Sequence, residues 1–138
     1  MRKALFVLLA LAMVMLPAGC GWWGMASVDL GEEFSLHLGD GVMVRGEALS
    51  IVFADVTEDS RCPTGAVCIW AGQVSCSVLL TKSGGTYTKT FIQSGLTSEP
   101  ATESAMGYLF SFRVEPYPVA GQEIDTGDYR LVMTVSQQ

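Results

Sequence analysis

The sequence predicts an all-β domain, an antiparallel β-sandwich of about seven strands that is immunoglobulin-like in the broad sense. Apolar and polar residues alternate with a period of two through most of the chain after residue 31, and helical periodicity is absent there. Turns that carry Gly, Asp or Pro separate the alternating segments, as in domains built from two packed antiparallel sheets. One face of each strand is therefore expected to form the core, and the other to meet water.

The strands are predicted in order from this alternation. They cover residues 34–38, 42–44, 48–56, 73–80, 86–93, 108–115 and 129–135. Gly39-Asp-Gly41 supplies the turn after the first strand, and Lys82-Ser-Gly-Gly85 the turn after the fourth. In the fifth strand, β-branched Thr alternates with larger residues. The apolar faces of the other strands include Phe34, Leu36, Leu38, Leu49, Ile51, Phe53, Val74, Cys76, Val78, Leu80, Tyr108, Phe110, Phe112, Val114, Tyr129, Leu131, Met133 and Val135.

Two segments outside these strands carry further expectations. Residues 94–105 are polar and small, and are expected to form a mobile surface loop. Asp125-Thr-Gly-Asp-Tyr129 resembles the Asp-x-Gly-x-Tyr corner of immunoglobulin-like domains, in which a tyrosine hydroxyl ties a loop to the start of a strand. Leu131 replaces the Cys that follows this corner in antibody domains, so the resemblance implies a sandwich without a specific topology.

The N-terminus indicates export. Arg2 and Lys3 precede an apolar run from Ala4 to Gly19, which ends in small residues before Cys20. This is the pattern of a signal peptide that is removed, and the run is shorter than the ~20 residues that a spanning helix needs. We therefore expect a signal peptide over residues 1–19, a tether over residues 20–30 and the β-sandwich domain over residues 31–138.

Cys20 is the predicted lipidation site. The residues before it resemble the lipobox of bacterial lipoproteins, although Pro17 stands where Leu is usual and Leu16 lies one place too early. The resemblance implies an N-terminal cysteine that carries palmitate or a similar acyl chain, anchored in the cell membrane and facing the periplasm or the cell exterior. Cleavage to a free soluble domain is the alternative. Trp22 and Trp23 follow, and are expected either at the headgroup level or in a leader or first strand.

The charge of the chain excludes one class of partner. The full sequence has 8 basic and 14 acidic residues. Loss of Arg2 and Lys3 with the signal leaves six basic against fourteen acidic residues, a net charge of −8. Phosphate backbones are bound by clustered Lys and Arg, so no nucleic-acid partner is expected. The expected contacts are the membrane, through the N-terminal lipid, and a protein, peptide or glycan.

The local motif with most information covers residues 59–72, Asp-Ser-Arg-Cys-Pro-Thr-Gly-Ala-Val-Cys-Ile-Trp-Ala-Gly. In an oxidising compartment Cys62 and Cys68 can close a small disulfide loop. Closing such a ring lowers the conformational entropy of the unfolded chain and thereby stabilises the fold by roughly 2 kcal/mol. Asp59 can cap N–H groups of the turn or pair with Arg61.

The same motif resembles one found in other proteins, and a redox or zinc-binding loop is the alternative interpretation of its cysteines. It resembles a motif of uncharacterised bacterial secreted and lipid-anchored β-rich proteins, and Val114-Glu-Pro-Tyr-Pro118 and Gly127-Asp-Tyr129 fit the same pattern. The resemblance covers roughly residues 32–136 and implies no activity. Trp70 can pack its ring over the disulfide. A redox or zinc loop is disfavoured because Cys-x-x-Cys and a four-ligand set are missing.

Cys76 is then the odd cysteine. Its alternation places it on the face of Val74 and Val78, so a buried free thiol is expected. Swapped pairing with Cys62 or Cys68 is the alternative, and a reactive exposed thiol comes last.

No catalytic residue, metal site or cofactor is expected. His37 is the single histidine, it lies on the polar face of its strand, and no Gly-x-Ser-x-Gly elbow supplies a nucleophile. The acidic segment from Glu123 to Asp128 offers oxygen ligands for calcium. It lacks the EF-hand order, and a charged hairpin turn explains it equally well.

These observations predict a lipid-anchored cell-envelope module with a non-catalytic binding or structural role. Arg61, Trp70 and Tyr117 are the candidate partner contacts. Tyr117 lies between two prolines that are expected to close an edge strand.

Two alternatives remain open at this point. One is an extracellular protease inhibitor that places loop 62–68 or loop 94–105 in a protease cleft. The other is a small envelope hydrolase or metal-dependent enzyme that uses the acidic residues, among them Asp59, Glu123 and Asp125.

Overall fold

The molecule is a sandwich of two β-sheets, as the alternation predicts. The computed structural model describes residues 25–95 and 99–138. A short 3-10 turn, Thr126–Asp128, precedes the last strand. The strands in the described ranges are β1 (Ala26–Val28), β2 (Glu33–His37), β3 (Gly41–Val44), β4 (Leu49–Asp59), β5 (Gln73–Lys82), β6 (Gly85–Ser94), β7 (Ala101–Ala105), β8 (Tyr108–Glu115) and β9 (Arg130–Gln137).

One sheet has five strands in the order β1-β3-β4-β5-β6, and the other has four in the order β2-β9-β8-β7. The pairings between these strands are antiparallel except that of β1 with β3, which is parallel. Asp59 lies opposite Val74, which in turn lies opposite Gln93, so β4 and β6 end and β5 begins at one end of the sandwich. The end of β8 lies at this end too, and we call it the loop end.

The core lies between the sheets and is filled by their inward faces. The predicted apolar faces are buried, apart from Phe34, Leu38 and Tyr129, which are partly exposed. Phe91 of β6 packs against Phe110 and Phe112 of β8, with ring centroids 5.4 and 4.9 Å apart. Tilted and edge-on aromatic contacts of this kind add stability beyond the buried area. These contacts join the two sheets where β6 faces β8.

Two of the nine strands were not expected. β7 lies inside residues 94–105, so the expectation of a loop is wrong for Ala101–Ala105. This strand pairs with β8 at the edge of its sheet and consists of small and polar residues, so it carries no apolar alternation. β1 lies inside the expected tether, residues 20–30, and pairs with β3. The described residues therefore include a strand before residue 31.

The two prolines around Tyr117 do not close an edge strand. β8 ends at Glu115, directly before Pro116, but it lies between β9 and β7 within its sheet. Proline cannot donate to a ladder hydrogen bond. Pro116 therefore ends a central strand and releases its last carbonyl groups for other partners.

Residues 25–95 and 99–138 include no helix of the length and apolarity that crossing a bilayer requires. The expected signal peptide, together with Cys20, Trp22 and Trp23, lies outside the described residues. Signal cleavage and acylation of Cys20 therefore stay predictions.

Candidate functional site

The loop that joins β4 to β5 stands at the loop end, and its two arms are hydrogen-bonded to each other. The N–H of Ser60 donates to the carbonyl of Gln73 at 2.8 Å, and the N–H of Cys62 donates to the carbonyl of Ala71 at 3.0 Å. These bonds continue the β4–β5 ladder past the last paired residues. The base of the loop is therefore an extension of the sheet.

The predicted disulfide closes the outer part of this loop. Cys62 and Cys68 are bonded, with their Cα atoms 5.9 Å apart. We call residues 62–70 the disulfide loop. A second contact comes from the segment that follows β8: the N–H of Thr64 donates to the carbonyl of Pro118 at 2.9 Å, and Thr64 pairs with Val119 in an isolated parallel bridge. The disulfide loop is therefore held both at its own base and by the segment between β8 and β9.

Arg61 is the residue that joins the loop to the core. It is only 4% exposed, and three nitrogen atoms of its guanidinium donate hydrogen bonds. Nη1 donates to the carbonyl of Val114 at 2.8 Å, and Nη2 to the carbonyl of Pro116 at 3.0 Å. Nε donates to Oδ1 of Asp59 at 2.8 Å. The guanidinium thus donates hydrogen bonds to carbonyl groups at the end of β8 and directly after it.

Asp59 balances this buried charge. Its Oδ2 accepts from Nη2 of Arg61 at 2.6 Å and from the hydroxyl of Tyr129 at 3.0 Å. Its Oδ1 also accepts from the backbone N–H of Arg61 at 3.3 Å. Both predicted roles of Asp59, capping a backbone N–H group and pairing with Arg61, are confirmed. The tyrosine of the corner motif joins the start of β9 to the end of β4.

The pKa values of this cluster follow from its contacts. Burial alone would raise the pKa of Asp59, but the hydrogen bonds and positive charge of Arg61, with the hydroxyl of Tyr129, outweigh burial and lower it. Burial, together with the negative charge of Asp59, raises the pKa of Tyr129. At neutral pH the site therefore contains an ionised carboxylate, a guanidinium and a neutral phenol.

Tyr117 covers the other side of the guanidinium. The centre of its ring is 5.2 Å from Cζ of Arg61, which is within cation–π range. Its hydroxyl lies 3.0 Å from the carbonyl oxygen of Cys62 and 2.9 Å from that of Gly95, to which it can donate its proton. Arg61 and Tyr117 are thus brought together, with Arg61 buried and Tyr117 partly exposed.

Two glycines allow three backbone segments to meet beneath the disulfide loop. A Cβ on Gly72 would lie 1.7 Å from the carbonyl oxygen of Ser60, and a Cβ on Gly95 would lie 2.2 Å from that of Ala71. Gly72 also has φ +69°, which disfavours other residues. The N–H of Gly95 donates to the carbonyl of Gly72 at 2.9 Å. The base of the loop is therefore closely packed backbone.

The tip of the disulfide loop is apolar and exposed. Val67, Ile69 and Trp70 have exposures of 103%, 95% and 82%. The expectation that Trp70 packs over the disulfide is therefore wrong, because its ring faces solvent. No charged residue occurs between Cys62 and Gly72. The structure thus combines a fixed base with an uncharged, unpacked tip.

Sequence reasoning singled out Trp70 but missed Val67 and Ile69. Val67 lies between the two disulfide-forming cysteines, and Ile69 lies between Cys68 and Trp70. Neither residue belongs to an alternating segment, and this was the available signal. Apolar residues that do not lie on the inward face of a strand are not needed to fill the core, so core packing does not account for them.

Two shallow hollows flank this region. One, of about 250 Å³, is lined in part by Asp59, Pro63 and Glu123. The other, of about 410 Å³, is lined in part by Arg113 and Arg130. These two arginines are held in ion pairs with surrounding carboxylates: Arg113 with Glu33 at 3.1 Å and with Glu115 at 2.9 Å, and Arg130 with Glu115 at 3.2 Å.

The remaining predicted residues are placed as follows. Cys76 is a buried free cysteine, as expected, and burial raises the pKa of its thiol to about 12. His37 is exposed at the end of β2. Within residues 25–95 and 99–138, no three His, Cys, Asp or Glu side chains come together in a way that could hold a metal ion.

A scan against protein-family models gave no match, and searches of the curated proteins and of the solved structures gave no significant match. The resemblance carried by residues 59–72 therefore stays a prediction. Function has to be argued from the geometry of the loop end.

Proposed function

We propose that this protein is an exported, lipid-anchored module of the cell envelope that acts without catalysis and binds through its disulfide loop. The observation that carries the proposal is the exposure of Val67, Ile69 and Trp70 on a loop whose base is fixed. Large apolar side chains clustered at the surface of a folded domain mark contact sites. A loop that is already ordered loses little conformational entropy when it binds.

The buried cluster around Arg61 supports this proposal by explaining why the loop is ordered. Arg61 and Asp59 use their polar groups on each other and on backbone carbonyls, and Tyr117 covers the guanidinium. Asp59 and Arg61 line a shallow hollow, but their polar atoms are already hydrogen-bonded within the protein. Their arrangement serves to hold the loop, and Trp70 is the most exposed of the three predicted contact residues.

A crosslinking experiment tests whether the loop makes the contact. A photoreactive phenylalanine replaces Trp70 in the full chain, expressed in cells, and a matched variant carries it in place of Tyr87. Tyr87 is a partly exposed aromatic residue on β6, near the end of the sandwich opposite the loop end. Adducts from position 70 that exceed those from position 87 support the proposal. Equal or absent adducts at position 70 contradict it.

The anchor is tested separately by metabolic labelling with a palmitate analogue. The label should enter the wild-type protein and be lost in Cys20→Ala. A protein that takes up no label, or a Cys20→Ala variant that keeps it, would show that Cys20 is not the acylated residue.

A protease inhibitor is a second candidate, because the same loop is exposed, ordered and closed by a disulfide. The tip would then occupy a protease cleft, with Val67 or Ile69 in an apolar specificity pocket. Assays against a panel of secreted proteases test this directly. Inhibition that is lost in Val67→Asp and Ile69→Asp would favour the inhibitor over the envelope module.

A further inference from the structure

We propose that the disulfide loop docks on the lipid bilayer that holds the anchor, with Val67, Ile69 and Trp70 entering the headgroup zone. This inference deepens the proposed function by naming the partner, and it rests on that proposal for the exposed loop and for acylation of Cys20. The bilayer is favoured over a protein partner by the chemistry of the tip and by the orientation of β1.

The chemistry of the tip suits a membrane interface. Val67 and Ile69 are aliphatic and almost fully exposed. Trp70 has the amphipathic ring that prefers the headgroup level. The stretch from Cys62 to Gly72 contains no charged residue, so insertion moves no charge out of water. The disulfide and the bonds of Thr64 hold the backbone of the loop, and the three exposed side chains lie within four consecutive residues of it.

The topology orients the start of β1 toward the loop end. β4 runs toward Asp59 and the loop end, β3 is antiparallel to β4, and β1 is parallel to β3. β1 therefore runs away from the loop end, and Met25 lies at the start of β1 that faces it. Cys20 is five residues before Met25 in the sequence, so a lipid on Cys20 is joined to the domain at the start of β1 by a short segment.

The reach of this segment sets the orientation. Five residues span at most about 17 Å when fully extended. Ala26 lies beside Val42, which pairs with Ile51, and β4 continues from there to Asp59, roughly 20–25 Å further toward the loop end. The anchor and the disulfide loop can therefore reach the same bilayer only if the long axis of the sandwich is tilted relative to the membrane. The docked domain lies tilted on the membrane.

The surrounding charges select the kind of lipid. Glu123 lines the hollow beside Pro63 of the loop, and Asp125 and Asp128 are exposed in the same segment. Anionic leaflets attract basic segments and repel carboxylates. Docking is therefore expected on zwitterionic lipid and is not expected to strengthen when anionic lipid is added.

Quenching by brominated lipid tests the docked position. The acylated protein is reconstituted into phosphatidylcholine vesicles with or without bromine on the acyl chains. Trp22→Phe and Trp23→Phe leave Trp70 as the single tryptophan of the chain. The matched control adds Trp70→Phe and Tyr87→Trp, which moves the single tryptophan to the opposite end of the sandwich. Both positions are exposed, so the fold is kept and differences report on location.

Brominated chains should reduce the Trp70 emission about twofold or more, since interfacial side chains reach the upper acyl region, and should leave the control emission unchanged. Replacing half of the phosphatidylcholine by phosphatidylglycerol should not increase quenching. Equal quenching at both positions, or quenching that appears only with anionic lipid, would overturn the inference.

The two proposals fail in different ways. Protein that sediments with the vesicles while Trp70 stays unquenched retains its anchor but does not dock, so the bilayer assignment falls. If crosslinks from position 70 then reach only protein, the binding role of the loop stands. If position 70 gives no adducts either, that binding role falls as well.

Discussion

The carboxylate of Asp59 and the guanidinium of Arg61, two residues apart in the chain, form an ion pair whose side chains are only 10% and 1% exposed. Residues at i and i+2 of an extended chain point to the same side, which lets both side chains reach the end of β8. The pair links the last residue of β4 to the carbonyl of Val114 in the other sheet and to that of Pro116, just after β8. It therefore connects the two sheets through hydrogen bonds at the loop end.

Removal of Arg61 should be costly. In Arg61→Ala the carboxylate of Asp59 and two strand-end carbonyls lose their partner, and breaking a buried pair typically costs about 3–5 kcal/mol. Arg45→Ala is the matched control, because Arg45 pairs with Asp29 in solvent, with side chains 59% and 61% exposed. That variant should cost about 0–1 kcal/mol. Urea denaturation of both variants measures the difference, and equal costs would show that the buried pair has no special role.

Acid should weaken the fold through Asp59. The folded state lowers the pKa of this group below its ordinary value of 3.8, so its ionised form stabilises the fold fully at pH values above that value. The contribution declines as pH falls through the lowered pKa, because protonation then breaks the pair with Arg61. Stability should therefore fall with decreasing pH in this window.

Asp59→Asn should remove this part of the acid dependence and be less stable at neutral pH. Asp29→Asn, a change in the exposed pair, should keep most of the wild-type slope. Urea midpoints measured from pH 2 to pH 7 compare the three proteins. A slope for Asp59→Asn as steep as that of the wild type would show that other carboxylates control the acid response.

The alternation of the chain was sufficient to predict the layers of the fold. In β4, β5, β8 and β9 every second residue is buried over at least one stretch of the strand, since one face of each strand packs on the other sheet. β7 could not be found in this way, because an edge strand of Ala, Thr, Glu and Ser buries little and shows no period. β1 is only three residues long, and one of them is buried.

The loop end was predictable in its local contacts only. The disulfide and the Asp59–Arg61 pair join residues close in sequence, so spacing and charge indicated them. The contacts of Arg61 with Val114, 53 residues away, and of Tyr129 with Asp59, 70 residues away, depend on how the two sheets meet. Period-two alternation assigns faces to strands, but it does not say which strand ends come together.

Alanine at Gly72 or Gly95 should be destabilising through backbone collision. The added Cβ would lie 1.7 or 2.2 Å from a carbonyl oxygen, and neither oxygen belongs to a flexible side chain. Gly121→Ala is the control, since Gly121 has φ +78° with nothing within 4 Å of a Cβ. It should cost about 1–2 kcal/mol, from the left-handed backbone alone.

Gly72→Ala should exceed this control by about 1–3 kcal/mol, as overpacking of a filled site does. Gly95→Ala tests the collision without the contribution of a positive φ. Thermal or urea unfolding ranks the three variants. A Gly72→Ala variant no less stable than Gly121→Ala would mean that the segments beneath the disulfide loop can move apart freely.

The thiol of Cys76 should be inert in the folded protein. It lies at 0% exposure between the sheets, and burial raises its pKa to about 12, so almost no thiolate forms at pH 8. Iodoacetamide should leave the Cys76 peptide unmodified in native protein and alkylate it in urea, as read by mass spectrometry. Cys62 and Cys68 are an internal control, because they should be alkylated only after reduction. Alkylation of Cys76 at equal rates with and without urea would show that the core around β5 opens readily.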